Sequence, residues 1–501
     1  MSDLLSTLRN QGVKPLGITA DSRKVEAGSL FLAYPGELAD GRNFIAHAIS
    51  QGAAAVFWER DGFQWKSEWQ VANMAMDNLR AASGFIADSF YGQPSKRLWM
   101  IGVTGTNGKT SCSHWLAQTL NYLGRKTAVI GTLGNGFPYP LSPGSLPHAG
   151  ERDTVALHAL SEAINTTPDP ILLHGMLADY LKQGAGAVVM EVSSHGLDQG
   201  RVNGMHFDIA LFTNLSRDHL DYHGDMAAYG AAKKKLFDWP GLGCAVLNSD
   251  DAFGREIAES LIKQDKRVLT YGLNGGEVRG SKLHLSEQGL SMQVSTPHGQ
   301  ASLQAALLGR FNAYNLLAVL ATLLASDVGL EQAIGAISQI RPVAGRVQQL
   351  GGGTQPLVVI DYAHTPDALE KVLLALREQT KGKLHCVFGC GGNRDQGKRP
   401  LMGEAVSRLA DKAIVTSDNP RHENPAEIIS AVVVGMRGGY RIEPDRATAI
   451  AYAINAAKPG DVVLIAGKGH EEYQEIAGVK HPFSDLQVVR QALQQYRSIE
   501  A

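Results

Sequence analysis

The chain opens on short apolar runs separated by turns. Residues 29–34 read as a strand, 44–50 as a helix and 53–58 as a second strand. A polar stretch, Tyr91-Gly92-Gln93-Pro94-Ser95-Lys96-Arg97, then reads as a linker. Beyond it the apolar run 98–103 predicts a buried strand. A glycine-rich loop follows, then a helix with Trp115, Leu116, Leu120 and Leu123 on one face and Gly124 as its stop. Further strands are predicted at 187–190 and 245–247, each ending in polar residues. Strong alternation over 267–307, with turn signals at Asn274-Gly275-Gly276, Gln288-Gly289 and His298-Gly299, predicts a β-meander appended to that sheet. A second α/β pattern begins near Arg341-Pro342, with strands at 357–360, 384–388, 413–416 and 462–465. Their carboxyl ends lead into 361–364, 389–395, 417–421 and 466–471. Ligands of open parallel sheets bind at that end, so these four loops are expected to converge on one site. The fold class is α/β in three domains. A small N-terminal α/β domain spans 1–92. A central P-loop-type mononucleotide-binding parallel sheet with its meander spans 93–340, and a C-terminal Rossmann-like domain spans 341–501.

Composition narrows the function classes. Of 501 residues, 44% are hydrophobic and 19% charged, which suits a folded globular chain and excludes a disordered one. Lys and Arg number 47 against 49 Asp and Glu, so the net charge of −2 gives no sign of a polyanion-binding surface and nucleic acid is not expected as a partner. The four cysteines, Cys112, Cys244, Cys386 and Cys390, have no zinc-type spacing and read as buried thiols in a reducing compartment. The N-terminus lacks a signal-peptide pattern, and the longest apolar run, 316–325, is too short to span a bilayer. A cytoplasmic protein without membrane insertion is expected.

The strongest local signal is Gly102-Val103-Thr104-Gly105-Thr106-Asn107-Gly108-Lys109-Thr110. A strand feeds a glycine-rich loop that opens a helix. Backbone N–H groups, the helix N-terminus and Lys109 make a phosphate cradle, and the Thr110 hydroxyl is placed to reach a magnesium ion. Val103 stands where the usual pattern has its first glycine. A nucleoside triphosphate, ATP first, is the implied ligand. Glu191-Val192-Ser193-Ser194-His195-Gly196 follows a strand, which puts Glu191 where an acidic metal ligand sits opposite such a loop. The segment 214–223 gathers ionisable groups, and its plain reading is a solvated loop. His219 and His223 are four apart and suit one helix face, half of a zinc site, but no third ligand follows at zinc spacing. The run Ala231-Ala232-Lys233-Lys234-Lys235-Leu236-Phe237 reads plainly as an exposed basic turn.

Taken together, Gly105–Thr110, Glu191–Gly196, 213–223, Asn312-x-x-Asn315, Gly345-Arg346, Asp361-Tyr362-Ala363-His364-Thr365-Pro366 and Gly467-Lys468-Gly469-His470-Glu471 resemble the Mur ligases, in order along essentially the whole chain. Those enzymes build the cytoplasmic peptide precursor of bacterial cell wall. The resemblance is strongest to members that add meso-diaminopimelate to UDP-N-acetylmuramoyl-L-alanyl-D-glutamate. It implies ATP-dependent phosphorylation of a carboxylate, attack of the amine on the acyl phosphate, and loss of phosphate from a tetrahedral intermediate. Lys109, Glu191, His219 and Lys233 would be the catalytic set. Two magnesium ions are implied, one on Thr110 and Glu191, the other on His219 and Lys233, with Lys233 carbamylated to N6-carboxylysine. ATP contacts would come from Gly105, Thr106, Asn107, Gly108, Lys109, Thr110, Ser111, Asn315, Arg346 and Asp361. On its own, Asn315 reads equally as a helix cap. The UDP-sugar dipeptide would meet Ala20, Ser22, Glu37, Leu38 and Ala39 in the first domain, and Thr166, Thr167, Ser193, Gln199 and Arg201 in the second. The stretch 137–164 is longer and richer in Pro and Gly than the family pattern.

The same resemblance assigns diaminopimelate to Arg394, Asp418, Asn419, Pro420, Arg421, Gly467 and Glu471. Diaminopimelate differs from lysine by one distal carboxylate, and a guanidinium binds a carboxylate through two parallel charge-assisted hydrogen bonds. With lysine bound, Arg421 would be left unpaired, a penalty that supports rejection by about 10⁴-fold. A monomer is expected. The other readings are an L-lysine-adding Mur ligase or, from a different class, a nucleotide-dependent switch ATPase.

Overall fold

The computed structural model describes residues 2–36, 39–138, 160–161, 165–286 and 289–496. Glu37, Leu38, Gln288 and most of the 137–164 stretch lie outside the described residues. Among those described, three large sheets follow one another along the chain.

The first sheet is four-stranded and parallel, in the order Gly17–Thr19, Ser29–Ala33, Ala55–Glu59, Ala72–Met76. Ser29–Ala33 is buried at every position and forms its centre. The predicted helix begins at Ile45, after a 3₁₀ turn over Gly41–Phe44 in which Asp40 accepts from the Arg42 N–H. The expected linker is no free tether. Pro94–Arg97 is a 3₁₀ turn, and the buried Ser95 hydroxyl accepts from the His206 N–H at 3.0 Å. A short hydroxyl side chain can satisfy a neighbouring backbone group, so polarity there marks packing.

The central sheet has eleven strands among the described residues. Its parallel core runs Val268–Gly272, Cys244–Asn248, Ile209–Phe212, Trp99–Thr104, Ala187–Glu191, Thr127–Gly131. The helices Lys109–Tyr122 and Arg310–Ala325 cover one face, and Pro170–Lys182 and Ala252–Ile262 lie on the other. The apolar run at 316–325 is therefore a core helix, apolar all round because both the sheet and its neighbours bury it. The meander differs from expectation in its first link: Val268–Gly272 pairs with Val278–Ser286 in parallel, and the antiparallel hairpins begin only at Val278. Alternation reports burial on one face and carries no strand direction.

The third sheet runs Gln348–Gly351, Leu357–Asp361, Val462–Ala466, Leu384–Phe388, Lys412–Val415, Tyr440–Ile442. All neighbours are parallel except the first pair, an antiparallel edge that the sequence pattern did not announce. Because its central strands are parallel, their carboxyl ends open on one side, facing the Gly105–Thr110 loop of the central sheet. All four cysteines are buried and unpaired. Among the described residues no helix is long and apolar enough to cross a membrane.

Candidate active site

Two glycines shape the loop at the end of Trp99–Thr104. Gly105 has φ +142°, and a Cβ there would collide with the Thr213 hydroxyl; Gly108 has φ +87°, and its Cβ would lie 2.6 Å from Asn315 Oδ1. Both conformation and space therefore demand glycine. The loop is tied to the neighbouring strand end: the Asn107 N–H donates to Asn214 Oδ1 at 3.0 Å, and the Thr213 hydroxyl donates to the Asn107 carbonyl at 2.6 Å. Lys109, the first residue of the helix, turns back so that Nζ donates to the carbonyls of Gly105 and Thr106 at 2.9 and 3.0 Å. Burial pulls its ammonium below the ordinary lysine value.

Glu191 ends the adjacent strand and is fully buried. Its carboxylate accepts from the Thr110 hydroxyl at 3.0 Å, the Thr132 N–H at 2.9 Å and the Thr132 hydroxyl at 3.1 Å. Thr132 was not anticipated; it sits on a turn after Thr127–Gly131, a strand the apolar pattern did not single out. Arg346 arrives from the third unit, donates to the Thr110 hydroxyl at 3.1 Å and lies over the Tyr362 ring. Asp361 is buried and accepts from the N–H groups of Val347 and Ala363, yet burial still pushes its carboxyl up.

Lys233 corrects the exposed-turn reading. Its side chain is 1% exposed, Nζ donates to the Gly105 carbonyl at 2.9 Å, and it stands over the Tyr229 ring at 4.3 Å. Burial, and then the charge of Lys109, pull this amine well below its ordinary value. Lys235, two residues on, is exposed and pairs with Asp198. His219 caps the short helix Leu220–His223 with φ +53°, and the rings of His219 and His223 lie on one side of it, both packed against His195 with centroids 4.8 and 5.4 Å away. Burial draws His219 down to about 3. Asn315 lies inside Arg310–Ala325, where its Nδ2 donates to Asn312 Oδ1, so it is no cap.

These groups share a cavity of about 670 Å³. On its wall are Thr106–Ser111, Asn315, Arg346, Asp361, Glu191 and His219 from the predicted nucleotide and catalytic set, while Gly105 and Lys233 stand behind it. Thr166 and Ser193 reach the same wall, and Thr167 supports them: its hydroxyl donates to the Glu191 carbonyl at 2.9 Å and accepts from the Ser193 N–H at 3.0 Å. Arg201 donates to the Thr167 carbonyl and to Gln199, so Thr167, Ser193, Gln199 and Arg201 form one patch. Ala20, Ser22 and Ala39 belong to the first sheet's loops and do not border this cavity.

The opposite wall is made by the third unit. Arg394, Asp418, Asn419, Arg421, Gly467 and Glu471 all border the cavity, and the Pro420 carbonyl serves a turn, accepting from the Glu423 N–H. Asn419 donates to Glu471 at 2.8 Å, and Lys468 donates to both at 2.9 and 3.0 Å. Lys468 is fully buried and ties this loop to its neighbour; it lay within the quoted motif and was not singled out there. Arg421 has φ +52°, donates to the Gly392 carbonyl at 2.8 Å and faces Glu475 at 3.2 Å. The expected penalty of an unpaired Arg421 is therefore overstated. Glu475 offers the guanidinium a carboxylate from the chain itself, which reduces the cost of omitting the distal carboxylate.

A magnesium ion keeps several waters and takes one or two carboxylates plus substrate phosphates. Glu191 fits that chemistry: a buried carboxylate whose hydrogen-bond partners are all neutral, beside a threonine hydroxyl at the end of a phosphate loop. Among the described residues no cluster of three or more His, Cys, Asp or Glu side chains is arranged to hold a metal by itself.

Comparison with known proteins covers the whole length. Residues 16–91 match the Mur ligase family catalytic domain, 103–323 the Mur ligase middle domain and 345–469 the Mur ligase glutamate ligase domain. A UDP-N-acetylmuramoyl-L-alanyl-D-glutamate--2,6-diaminopimelate ligase from Chromobacterium violaceum is 53% identical over 490 residues, covering 97% of this chain and 96% of that one. Its counterpart from Nitrosomonas europaea is 50% identical over 510 residues, covering 97% and 94%. A solved structure of a ligase of that name is 38% identical, with TM-score 0.67, covering 96% of this chain and 95% of that chain. At 17% identity and TM-score 0.63, the MurF ligase of Thermotoga maritima in complex with ADP shares the fold over 96% and 97% of the two chains.

Proposed function

Since the chain belongs to the Mur ligase family, we propose that it joins meso-2,6-diaminopimelate to UDP-N-acetylmuramoyl-L-alanyl-D-glutamate at the expense of ATP, in the cytoplasm, during peptidoglycan precursor synthesis. It is an ATP-dependent amide ligase. The observation that carries the substrate assignment is the single cavity with the phosphate loop on one wall and Asp418–Arg421 with Glu471 on the other. The units 1–92, 93–340 and 341–501 then serve UDP-sugar, ATP and amino acid respectively.

A carboxylate is a poor acylating agent, so its oxygen first attacks the γ-phosphorus of ATP and ADP departs with the bridging electron pair. The amine then attacks the acyl carbon, and phosphate leaves from the tetrahedral intermediate. Phosphoryl transfer asks the protein for alignment and charge compensation. Lys109 and the loop N–H groups hold the phosphates, with Thr106, Asn107, Ser111, Asn315, Arg346 and Asp361 around the nucleotide. Thr166, Thr167, Ser193, Gln199 and Arg201 orient the muramoyl dipeptide, and Ala20, Ser22, Glu37, Leu38 and Ala39 its uridine end. Thr110 and Glu191 would hold one magnesium, His219 and Lys233 a second; bound there, the ions neutralise charge developing on the phosphates. Lys233 suits conversion to N6-carboxylysine, because burial disfavours its charged form, and a neutral amine adds to CO₂ with loss of one proton to give the anionic carbamate. With ¹³C-labelled bicarbonate, the protein should show one carbamate carbon resonance that disappears in Lys233→Ala.

Arg421 would pair with the distal carboxylate of diaminopimelate, with Arg394, Asp418, Asn419, Pro420, Gly467 and Glu471 around the rest of the molecule. Phosphate release from ATP and the UDP-muramoyl dipeptide tests the reading, with meso-diaminopimelate, L-lysine or no amine supplied. Release that needs diaminopimelate supports it. Equal release with lysine would keep the ligase and remove the specificity, and release indifferent to the amine would leave an ATPase.

A further inference from the structure

The strand Val462–Ala466 runs out at Gly467, and the next residue, Lys468, has no exposed surface. An ammonium carries three donors and accepts nothing. Nζ of Lys468 donates to Asn419 Oδ1 at 2.9 Å and to Glu471 Oε2 at 3.0 Å, and lies 3.6 Å from Asp418 Oδ1. Asp418, Asn419 and Glu471 border the cavity, and Lys468 stands behind them. Because a lysine only donates, its contact fixes the direction of the Asn419 amide. Oδ1 points at Nζ and accepts also from the Glu475 N–H at 3.0 Å, while Nδ2 donates to Glu471 Oε2 at 2.8 Å. Glu471 Oε2 is thus served by Lys468 and Asn419, and Oε1, with the Tyr362 hydroxyl at 3.4 Å, keeps capacity for a further donor.

The charges within this group do not cancel. Asp418 and Glu471 bring two carboxylates to one ammonium, which leaves one negative charge at the cavity wall. The other buried cation behind this loop, Arg446, is held by Asp485 at 2.7 and 2.8 Å, and Arg421 faces Glu475. A wall of that sign suits an ammonium, and an amino acid supplies one. On the ligase reading above, we propose that Lys468 is a positioning residue for the amino-acid substrate: from behind the wall it holds the Asn419 amide and the Glu471 carboxylate in the orientation that receives an ammonium of diaminopimelate. Lys468 itself touches no ligand. Without it, the two carboxylates lose the cation they share, and the amide loses the contact that fixes its direction.

The test is the steady-state kinetics of tripeptide formation, with ATP, the UDP-muramoyl dipeptide and meso-diaminopimelate varied in turn. Lys468→Met should raise the KM for diaminopimelate by about tenfold or more, as expected for lost hydrogen bonds to a charged group. The KM values for ATP and the dipeptide should stay within about twofold of wild type. Lys468→Gln keeps a donor without the charge; it should show a smaller rise with the same selectivity, and it carries the comparison alone if the methionine variant does not fold. In a Glu471→Gln background, Lys468→Met should add less than about threefold to the KM for diaminopimelate, because the lysine acts through that carboxylate. A KM for diaminopimelate that neither lysine variant changes would overturn the proposal. So would equal rises in all three KM values, Lys468 and Glu471 effects that multiply in full, or failure of both lysine variants to fold. Wild-type enzyme that forms no tripeptide from these substrates would instead overturn the ligase reading.

Discussion

Lys109 and Lys233 both donate to the carbonyl of Gly105, so two amines meet at one oxygen beside a buried carboxylate. Burial disfavours the charged form of both, so an anion entering the loop stabilises the charge on Lys109. Removing Glu191 as an anion tests this: Glu191→Gln should lower kcat by about 10²- to 10³-fold while keeping the fold, since an amide preserves hydrogen bonds to Thr110 and Thr132. Truncating Arg421 to Ala should cost about 1.5–3 kcal/mol in kcat/KM for diaminopimelate, the range for hydrogen bonds to charged groups. A titration follows from His364, whose Nδ1 lies 2.8 Å from the Tyr362 carbonyl. Its folded value near 4 lies below the ordinary 6.5. Between those values the unfolded chain takes up a proton that the buried ring does not. Its contribution to stability is therefore full above about pH 6.5 and is lost as pH falls toward 4. Melting temperature should drop from pH 7 to pH 5, and His364→Asn should make that drop shallower. At this scale the sequence was informative wherever a motif fixed geometry, as with Lys109, Thr110 and Glu191. It was silent on Thr132, because its contacts with Glu191 come from which elements fold together.

The elements follow the apolar pattern closely where burial is two-sided. The strands Leu384–Phe388, apolar but for His385, and Ala187–Glu191, apolar up to its final Glu191, match the sequence reading almost to the residue. Edge strands such as Gln348–Gly351 and Tyr440–Ile442 escaped notice: they are short, and they take their identity from a neighbour's free edge. The phosphate loop is an element whose shape is set by its glycines. Gly108→Ala would force a β-carbon against Asn315 Oδ1 in a left-handed conformation. It should lower the melting temperature and raise the KM for ATP more than tenfold, an order-of-magnitude expectation from the 1–3 kcal/mol such a conformation costs. Calorimetry and initial-rate kinetics read both effects.

Across the whole molecule, the third unit is joined to the phosphate loop by a short set of polar contacts. Asp367 Oδ2 accepts from Asn107 Nδ2 at 2.7 Å and from the Ser216 hydroxyl at 2.8 Å, and Arg346 reaches Thr110. On the proposed reading, phosphate binding and the position of the amino-acid site would be connected through Asn107 and Thr110. Asp367→Ala should loosen that junction without touching either ligand. The expected result is a rise in KM for both ATP and diaminopimelate by about tenfold or more, on the order of the 1.5–3 kcal/mol of one hydrogen bond to a charged group. The three-unit organisation and the convergence of four strand ends were legible in the sequence, because parallel βα repeats leave few topologies open. The mutual placement of the units was not, since it rests on a handful of side chains far apart in the chain. The central claim is that one cavity joins a nucleotide-activated carboxylate to diaminopimelate, and the most direct measurement is the mass of the product. Enzyme given ATP, the UDP-muramoyl dipeptide and equal amounts of meso-diaminopimelate and L-lysine should yield the diaminopimelate-containing tripeptide in large excess, with that preference lost in Arg421→Ala. Equal yields of the two tripeptides from the wild-type enzyme, or ADP without any tripeptide, would contradict it.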